Sequence, residues 1–316
     1  MNNGLKWVLC FLCLLWVSSI HAQQRASSDP PFVVLLGTAQ DGGYPQAGCT
    51  RSCCKEAVAK PERQRYVASL AIVDPMTQQR WIIDCTPDFP EQLRMVQKTV
   101  KYAKSKDLSG IFLTHAHMGH YTGLAHLGRE VMGARKVPVY AMERMRGFLQ
   151  KNGPWNQLVK LNNIELRPLS AGKTITLNLR LKITPVLVPH RDEYSETVAF
   201  IVAGPKRSVL WLPDIDKWKK FKQPIEQVIK GVDRAYLDGI FYAADELPGR
   251  VMADIPHPFI VESMARFSKL PAAERSKVRF IHLNHTNPAL HKDSEAVKEI
   301  QKGGFWVGEQ AERFTL

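Results

Sequence analysis

The chain has 316 residues and a formal charge of +13, from 43 lysines and arginines against 30 aspartates and glutamates. Its 45% hydrophobic and 23% charged residues are those of an ordinary globular protein rather than a disordered one. The basic residues are scattered, with no dense stripe beyond Lys217-Trp218-Lys219-Lys220-Phe221-Lys222, so no specific nucleic-acid partner is expected; a basic surface instead favours a small anionic substrate.

Residues 1–22 carry Lys6, an apolar run Trp7–Val17 and a small-residue stretch Ser18–Ala22. They read as a signal peptide cut after Ala22, because the run is too short to span a bilayer. This predicts an exported protein, periplasmic or secreted, with a flexible leader over 23–31 and a folded domain over 32–316. No later stretch is apolar enough for a membrane span, and nothing in the sequence sets an oligomeric state.

Past the leader, short apolar runs alternate with amphipathic stretches. Strands are predicted over 32–36, 69–73, 81–84, 110–114 and 137–141, with helices over 89–105, 123–132 and 143–152. A glycine-containing loop runs from Gly37 to Cys54. The second half repeats the alternation, with strands over 164–168, 174–177, 180–188, 198–203, 208–212, 234–237 and 278–281, and helices over 223–232 and 260–269. This order points to α/β sheets covered by helices.

The strongest chemical signal is Leu113-Thr114-His115-Ala116-His117-Met118-Gly119-His120. An apolar strand ends and three imidazoles follow within six positions; imidazole is a ligand for zinc and iron. Further metal-capable side chains stand at strand ends: His190 after Val186-Leu187-Val188-Pro189, Asp214 after Leu212-Pro213, and His282 after Phe280-Ile281, with His285 three residues on. Asp84, after Ile82-Ile83, fits better as a brace for the site loops than as a ligand. His257, between Pro256 and Pro258, is a candidate proton donor. Cys85 reads as a buried core thiol. Cys49, Cys53 and Cys54 form a cluster that can hold either a metal or, in an exported protein, a disulfide.

The run His115-Ala-His117-Met-Gly119-His120 resembles the His-x-His-x-Asp-His signature of the metallo-β-lactamase-fold superfamily. More narrowly, the chain is similar to the family of pyrroloquinoline quinone biosynthesis protein B. The matching pieces are Gly37-Thr38-Ala39-Gln40-Asp41-Gly42-Gly43-Tyr44-Pro45-Gln46, Thr86-Pro87-Asp88, Arg191-Asp192-Glu193-Tyr194-Ser195, Pro213-Asp214-Ile215-Asp216-Lys217-Trp218, Asp238-Gly239 and Asn284-His285-Thr286-Asn287-Pro288. The resemblance implies an αββα four-layer sandwich. It also implies a first metal on His115, His117 and His190, and a second on His120 and His282, with Asp214 bridging.

The chain departs from the signature at Gly119, which stands where the superfamily has an aspartate. The second metal is therefore expected to be weak, absent, or completed by another carboxylate such as Asp192 or Asp88, and an aspartate restored at 119 is expected to raise the metal count. The biosynthesis protein itself lacks the two leading histidines, which places this chain nearer the hydrolytic branch. Related phosphodiesterases imply a structural zinc on Cys49, Cys53, Cys54 and His285, although Arg51 stands where their second cysteine would be.

The expected function is a metal-dependent hydrolase using a metal-bound hydroxide, acting on a phosphodiester or another anionic ester in preference to a β-lactam. Its cofactor is one or two Zn²⁺ in the active site, with Asp214, His120 and His257 as catalytic groups. The alternatives are an iron-dependent oxygenase-type enzyme and a non-catalytic metal-binding protein.

Overall fold

The computed structural model describes residues 29–99, 108–247 and 249–316. The expected signal peptide, the leader up to residue 28 and residues 100–105 of the expected helix lie outside them. Among the described residues no helix is long and apolar enough to cross a membrane.

Among the described residues, fourteen strands, numbered in chain order, form two seven-stranded sheets. One runs β14 (Arg313–Thr315), β1 (Phe32–Gly37), β2 (Ser69–Asp74), β3 (Gln79–Ile83), β4 (Gly110–Phe112), β5 (Val137–Ala141), β6 (Ile164–Pro168). The other runs β13 (Trp306–Val307), β12 (Val278–Ile281), β11 (Arg234–Asp238), β10 (Ser208–Leu212), β9 (Val198–Ala203), β8 (Lys182–Leu187), β7 (Ile175–Thr176). Each sheet is antiparallel in one half and parallel in the other: β3 to β6 are mutually parallel, as are β10 to β13. Parallel strands end on the same edge, and loops leaving those carboxyl ends are where open α/β sheets bind ligands.

The central strands are buried on both faces, which explains their near-continuous apolar runs; all six residues of Phe32–Gly37 are buried. Between the sheets, Leu35, Leu70, Ile72, Trp81 and Phe112 meet Phe200, Val209, Trp211 and Tyr236. Outside the first sheet, Val34, Leu36, Ile82 and Val139 pack against Phe89, Val96, Leu149 and Trp155 of flanking helices. Outside the second, Leu210, Leu212, Leu237 and Phe280 pack against Ile225, Ile229, Ile260, Phe267 and Ile300. The result is helix, sheet, sheet, helix, the αββα sandwich that the resemblance implied.

Several boundaries differ from expectation. The helix expected over 123–132 is a 3-10 turn, Thr122–Leu127. Gly123 lies against the β3 exit, donating its N–H to the Cys85 carbonyl at 2.9 Å, and a Cβ there would sit 2.1 Å from the Thr86 carbonyl oxygen. That anchor holds the segment down before a regular helix develops. The helix Ser52–Ala59 inside the cysteine loop, the helix Glu295–Lys302 and the last two strands carry no expectation from the sequence. The strand Arg313–Thr315 crosses back to pair with Phe32–Val34 in the first sheet.

Candidate metal centre

The site side chains follow the parallel strands of each sheet, together with β8, which lies in the antiparallel half but runs in the same direction as β10. From the first come Asp84, after β3, and the loop after β4 that carries His115, His117 and His120. From the second come His190 after β8, Asp214 after β10 and His282 after β12. The histidine loop is pinned across the sandwich: the Ala116 N–H donates to the Ser195 hydroxyl at 2.8 Å, and the Val198 N–H to the Thr114 carbonyl at 3.1 Å. Asp84 and His282 both adopt positive φ, +66° and +62°. Such backbones cost about 1–3 kcal/mol each in non-glycine residues and cluster at functional sites.

The structure brings His115, His117, His190 and Asp214 together, with one donor atom from each within 4.8 Å of all the others. His117 Nδ1 lies 3.2 Å from His190 Nε2, His115 Nε2 3.4 Å from Asp214 Oδ2, and His190 Nε2 3.7 Å from Asp214 Oδ1. Beside them is a second group, Asp41, His120 and His282. Asp214 Oδ2 reaches it too, 3.0 Å from His120 Nε2 and 3.4 Å from His282 Nε2. Four ligands at about 2.1 Å from one tetrahedral ion stand about 3.4 Å apart, so both spacings fit a cation.

Satisfaction of the donors fits as well. The ring nitrogens His115 Nε2, His120 Nε2 and His282 Nε2, with Asp214 Oδ2 and Asp41 Oδ1, are buried without a hydrogen-bond partner. Buried polar atoms are otherwise paired, because stranding one costs about 1–3 kcal/mol.

The opposite edges of the His115, His117 and His120 rings are held in the tautomer a ligand needs. Thr114 Oγ1 donates to Asp84 at 2.9 Å, so towards His115 Nδ1, also 2.9 Å away, the hydroxyl can only accept. This puts the His115 proton on Nδ1 and the lone pair on Nε2. His120 Nδ1 lies 2.8 Å from Asp84 Oδ2, His117 Nε2 3.0 Å from Glu193 Oε2, and His190 Nδ1 3.4 Å from Asp216 Oδ1. Carboxylates behind the rings in this way orient ligands and raise their basicity.

Burial, helped by His120, holds His115 well below the usual histidine range, leaving it neutral. Burial also opposes charge on His120, but Asp84, Asp214 and Asp41 outweigh it and raise that ring. Proton and cation therefore compete for His120 Nε2. Asp214 stays ionised: burial would raise it, yet the surrounding rings, His282 and His190 foremost, hold it well below the carboxylate range.

His257 is buried, with Nδ1 2.7 Å from Asp238 Oδ2 and 3.5 Å from Asp214 Oδ1. Burial lowers its pKa, but Asp238 prevails and takes it to about 9.

The three loop cysteines and His285 form a further four-donor group. Cys49 and Cys53 sulfurs stand 3.7 Å apart, far from the roughly 2.05 Å of a disulfide, and all four described cysteines are free. About 3.8 Å is the separation that two sulfurs take on one tetrahedral zinc. His285 Nδ1 is buried without a partner, while its Nε2 lies 3.2 Å from an Arg51 guanidinium nitrogen. The Cys85 thiol is buried in the core.

Two expectations need correction. Asp192 and Asp88 do not complete the second group. Asp192 accepts from the Thr197 hydroxyl at 2.8 Å and Asp88 from the Val67 N–H at 2.8 Å. The carboxylate present is Asp41, which the sequence offered only as part of a glycine-rich motif. Glu193 behind His117, Asp216 behind His190 and Asp238 behind His257 were likewise not singled out for these roles. Their motifs, Arg191–Ser195, Pro213–Trp218 and Asp238-Gly239, were the available signal.

A cavity of about 460 Å³ opens over the two groups, lined by Asp41, His117, Asp214, His257 and His282. Arg51, Arg191 and Arg250 line the same cavity.

Two sheets, histidine-bearing loops at their carboxyl edges and a shared aspartate define a metallo-β-lactamase-fold centre. A family model described as "Beta-lactamase superfamily domain" matches residues 79–294, and the chain belongs to that family. Within it the protein is PqqB-like. It is 25% identical over 309 residues to coenzyme PQQ synthesis protein B of Methylobacterium sp. (strain 4-46), covering 90% of this chain and 99% of that one. The crystal structure of Zn²⁺-bound PqqB from Methylobacterium extorquens matches with a TM-score of 0.75 at 20% identity, over 90% of this chain and 100% of that chain. A diphosphatase of the PhnP family matches with a TM-score of 0.65 at 20% identity, over 90% of this chain and 97% of that chain.

Proposed function

We propose that the protein is an exported metal-dependent hydrolase of anionic esters, phosphodiesters foremost. The observation that carries this reading is the cavity over Asp214, where two groups of metal-capable donors share one carboxylate and three arginines line the same space. A cation on His115, His117 and His190 would lower the pKa of water from about 16 to about 7 and so supply hydroxide at neutral pH.

The chain's own residues do the rest. Asp214, ionised and buried, orients the nucleophile's proton and holds the histidines in register. Arg51, Arg191 and Arg250 neutralise a phosphoryl or carboxylate group and fix its position. His257, protonated at neutral pH through Asp238 and lining the cavity, donates a proton to the departing oxygen. His120, with Asp84 behind it, is then a ligand rather than the acid. The thiols of Cys49, Cys53 and Cys54 with His285 would hold a structural zinc beside Arg51, which lines the cavity.

Purified, zinc-loaded protein is expected to turn over chromogenic phosphodiesters and to stop when chelated. Arg191→Ala and Arg250→Ala should each raise KM for a phosphodiester about tenfold or more, the scale of a lost charge-assisted hydrogen bond, and leave KM for a neutral ester nearly unchanged. Equal effects on both substrates would reject the anionic assignment. No turnover across phosphodiesters, esters and β-lactams with metal bound would leave a metal-binding protein.

A second reading draws on a different observation. His120, His282 and a carboxylate form a two-histidine, one-carboxylate set, which also suits iron(II) in oxygen chemistry. Metal analysis of protein from its native compartment decides between them: zinc supports hydrolysis, iron the oxygenase reading. For export, amino-terminal sequencing of the mature protein should begin at Gln23; a cytoplasmic chain still carrying residues 1–22 would overturn it.

A further inference from the structure

We infer that the second metal site keeps its aspartate by taking it from a different loop. Asp41 replaces the carboxylate absent at 119, and an occupant at one of these positions excludes one at the other. The inference rests on the metal centre proposed above. Asp41 sits on the loop leaving β1, and this loop lies across the exit of β12: the Gln40 N–H donates to the Leu283 carbonyl at 2.9 Å, and Leu283 N–H to the Thr38 carbonyl at 2.8 Å. That carries the carboxylate to His282 and to His120. Its Oδ2 accepts from the Gln40 side-chain amide at 3.0 Å. Its Oδ1 has no hydrogen-bond partner and lies 3.2 Å from His120 Nε2 and 3.7 Å from His282 Nε2. One oxygen is thus tethered and the other left for a ligand bond.

Gly119 is the counterpart of this arrangement. A Cβ at 119 would lie 2.1 Å from Asp41 Oδ1, 2.6 Å from its Cα and 2.7 Å from its Cγ. Side-chain atoms can swing away, but the Asp41 Cα belongs to the backbone tied to Leu283, so no residue with a Cβ fits while that loop stays in place. Gly119 is therefore no sign of a lost metal. It is the space into which the other loop's carboxylate enters. The expectation that an aspartate restored at 119 raises the metal count is reversed for the single substitution.

The test is zinc binding by the full mature chain, measured by equilibrium dialysis and elemental analysis. Asp41→Ala and the near-isosteric Asp41→Asn should each bind one equivalent fewer than wild type at a zinc concentration that just saturates it. The affinity of that equivalent should fall at least the roughly 10–100-fold seen when even an outer partner of a ligand is removed. Gly119→Ala and Gly119→Asp should each also lose it, and because the Cα of residue 41 still stands 2.6 Å from a Cβ at 119, the double variant Asp41→Ala/Gly119→Asp should not regain it. Circular dichroism identifies any variant that does not fold, and Asp41→Asn then carries the test. Wild-type stoichiometry and affinity in both Asp41 variants would overturn the assignment of Asp41, and a folded Gly119→Asp variant that binds zinc with wild-type stoichiometry and affinity would overturn the exclusion. If His115→Ala/His117→Ala also bound as much zinc as wild type, the metal centre itself would be refuted.

Discussion

An Asp214→Ala protein is expected to lose both active-centre metal equivalents and to fall in kcat/KM by roughly a thousandfold or more, the scale on which one organising charge counts. The expectation follows from the reach of one buried carboxylate. Its Oδ2 lies within 3.4 Å of the Nε2 atoms of His115, His120 and His282, and its Oδ1 lies 3.5 Å from His257 Nδ1 and 3.7 Å from His190 Nε2. No other described carboxylate touches both donor groups. Removing it strips the first set of its carboxylate and leaves the second with Asp41 alone to supply the negative charge that a divalent ion needs in a buried place. Asp214→Asn, which keeps the shape and removes the charge, should lose nearly as much, whereas Asp192→Ala should bind metal like wild type. Elemental analysis of the three variants checks this, with circular dichroism as the control for folding. An Asp214→Ala protein with its full metal complement would end the shared-carboxylate picture.

The second large effect is expected at the thiol group. Cys49→Ser should lower Tm by about 10 °C and abolish one zinc equivalent. A structural ion bound at a thousand times its Kd stabilises the folded state by about 4 kcal/mol, and for a chain of this size each kcal/mol moves Tm by about 2–4 °C. Cys49 is the informative position because it is only partly buried, whereas Cys54 is fully buried and packs in the core, so its loss mixes metal with packing. The thiols themselves show what a cation has to do. Burial pushes the Cys54 thiol up to about 12, and burial with neighbouring Cys49 raises Cys53 as well. Cys49 goes the other way: burial opposes it, but hydrogen bonds from Cys54 and Arg51 lower it. Without metal, a thiol reagent near pH 8 should therefore label Cys49 first and leave Cys54 protonated. With zinc, all three sulfurs become ligands and labelling slows for each of them. Wild type and Cys49→Ser that melt together and label at the same rates with and without zinc would show that the cluster is only three adjacent thiols.

Much of the architecture could be read from short-range pattern. Apolar runs of four to six residues with turns between them located most of the strands, because a strand buried on both faces must be apolar throughout. A polar, metal-capable residue directly after such a run located His115, His190, Asp214 and His282, because the carboxyl ends of parallel strands meet at one edge. The failures have equally local causes. The helix expected after Gly123 is a 3-10 turn because Gly123 is fastened to the Cys85 carbonyl, a contact absent from the segment's own periodicity. The strand Arg313–Thr315 is three residues long and is held by Phe32–Val34 at the other end of the chain.

By itself the sequence determined which residue types stand at the strand ends, and so that an imidazole-rich centre of the metallo-β-lactamase type would form. Those features depend on neighbours a few positions away. Only the tertiary structure decided that Asp41 rather than Asp192 or Asp88 faces His120 and His282, that Glu193, Asp216 and Asp238 stand behind His117, His190 and His257, and that three arginines border one cavity. Each of these depends on how closely two loops from different strands approach, and that distance is set by the packing of the sheets beneath them rather than by any spacing along the chain.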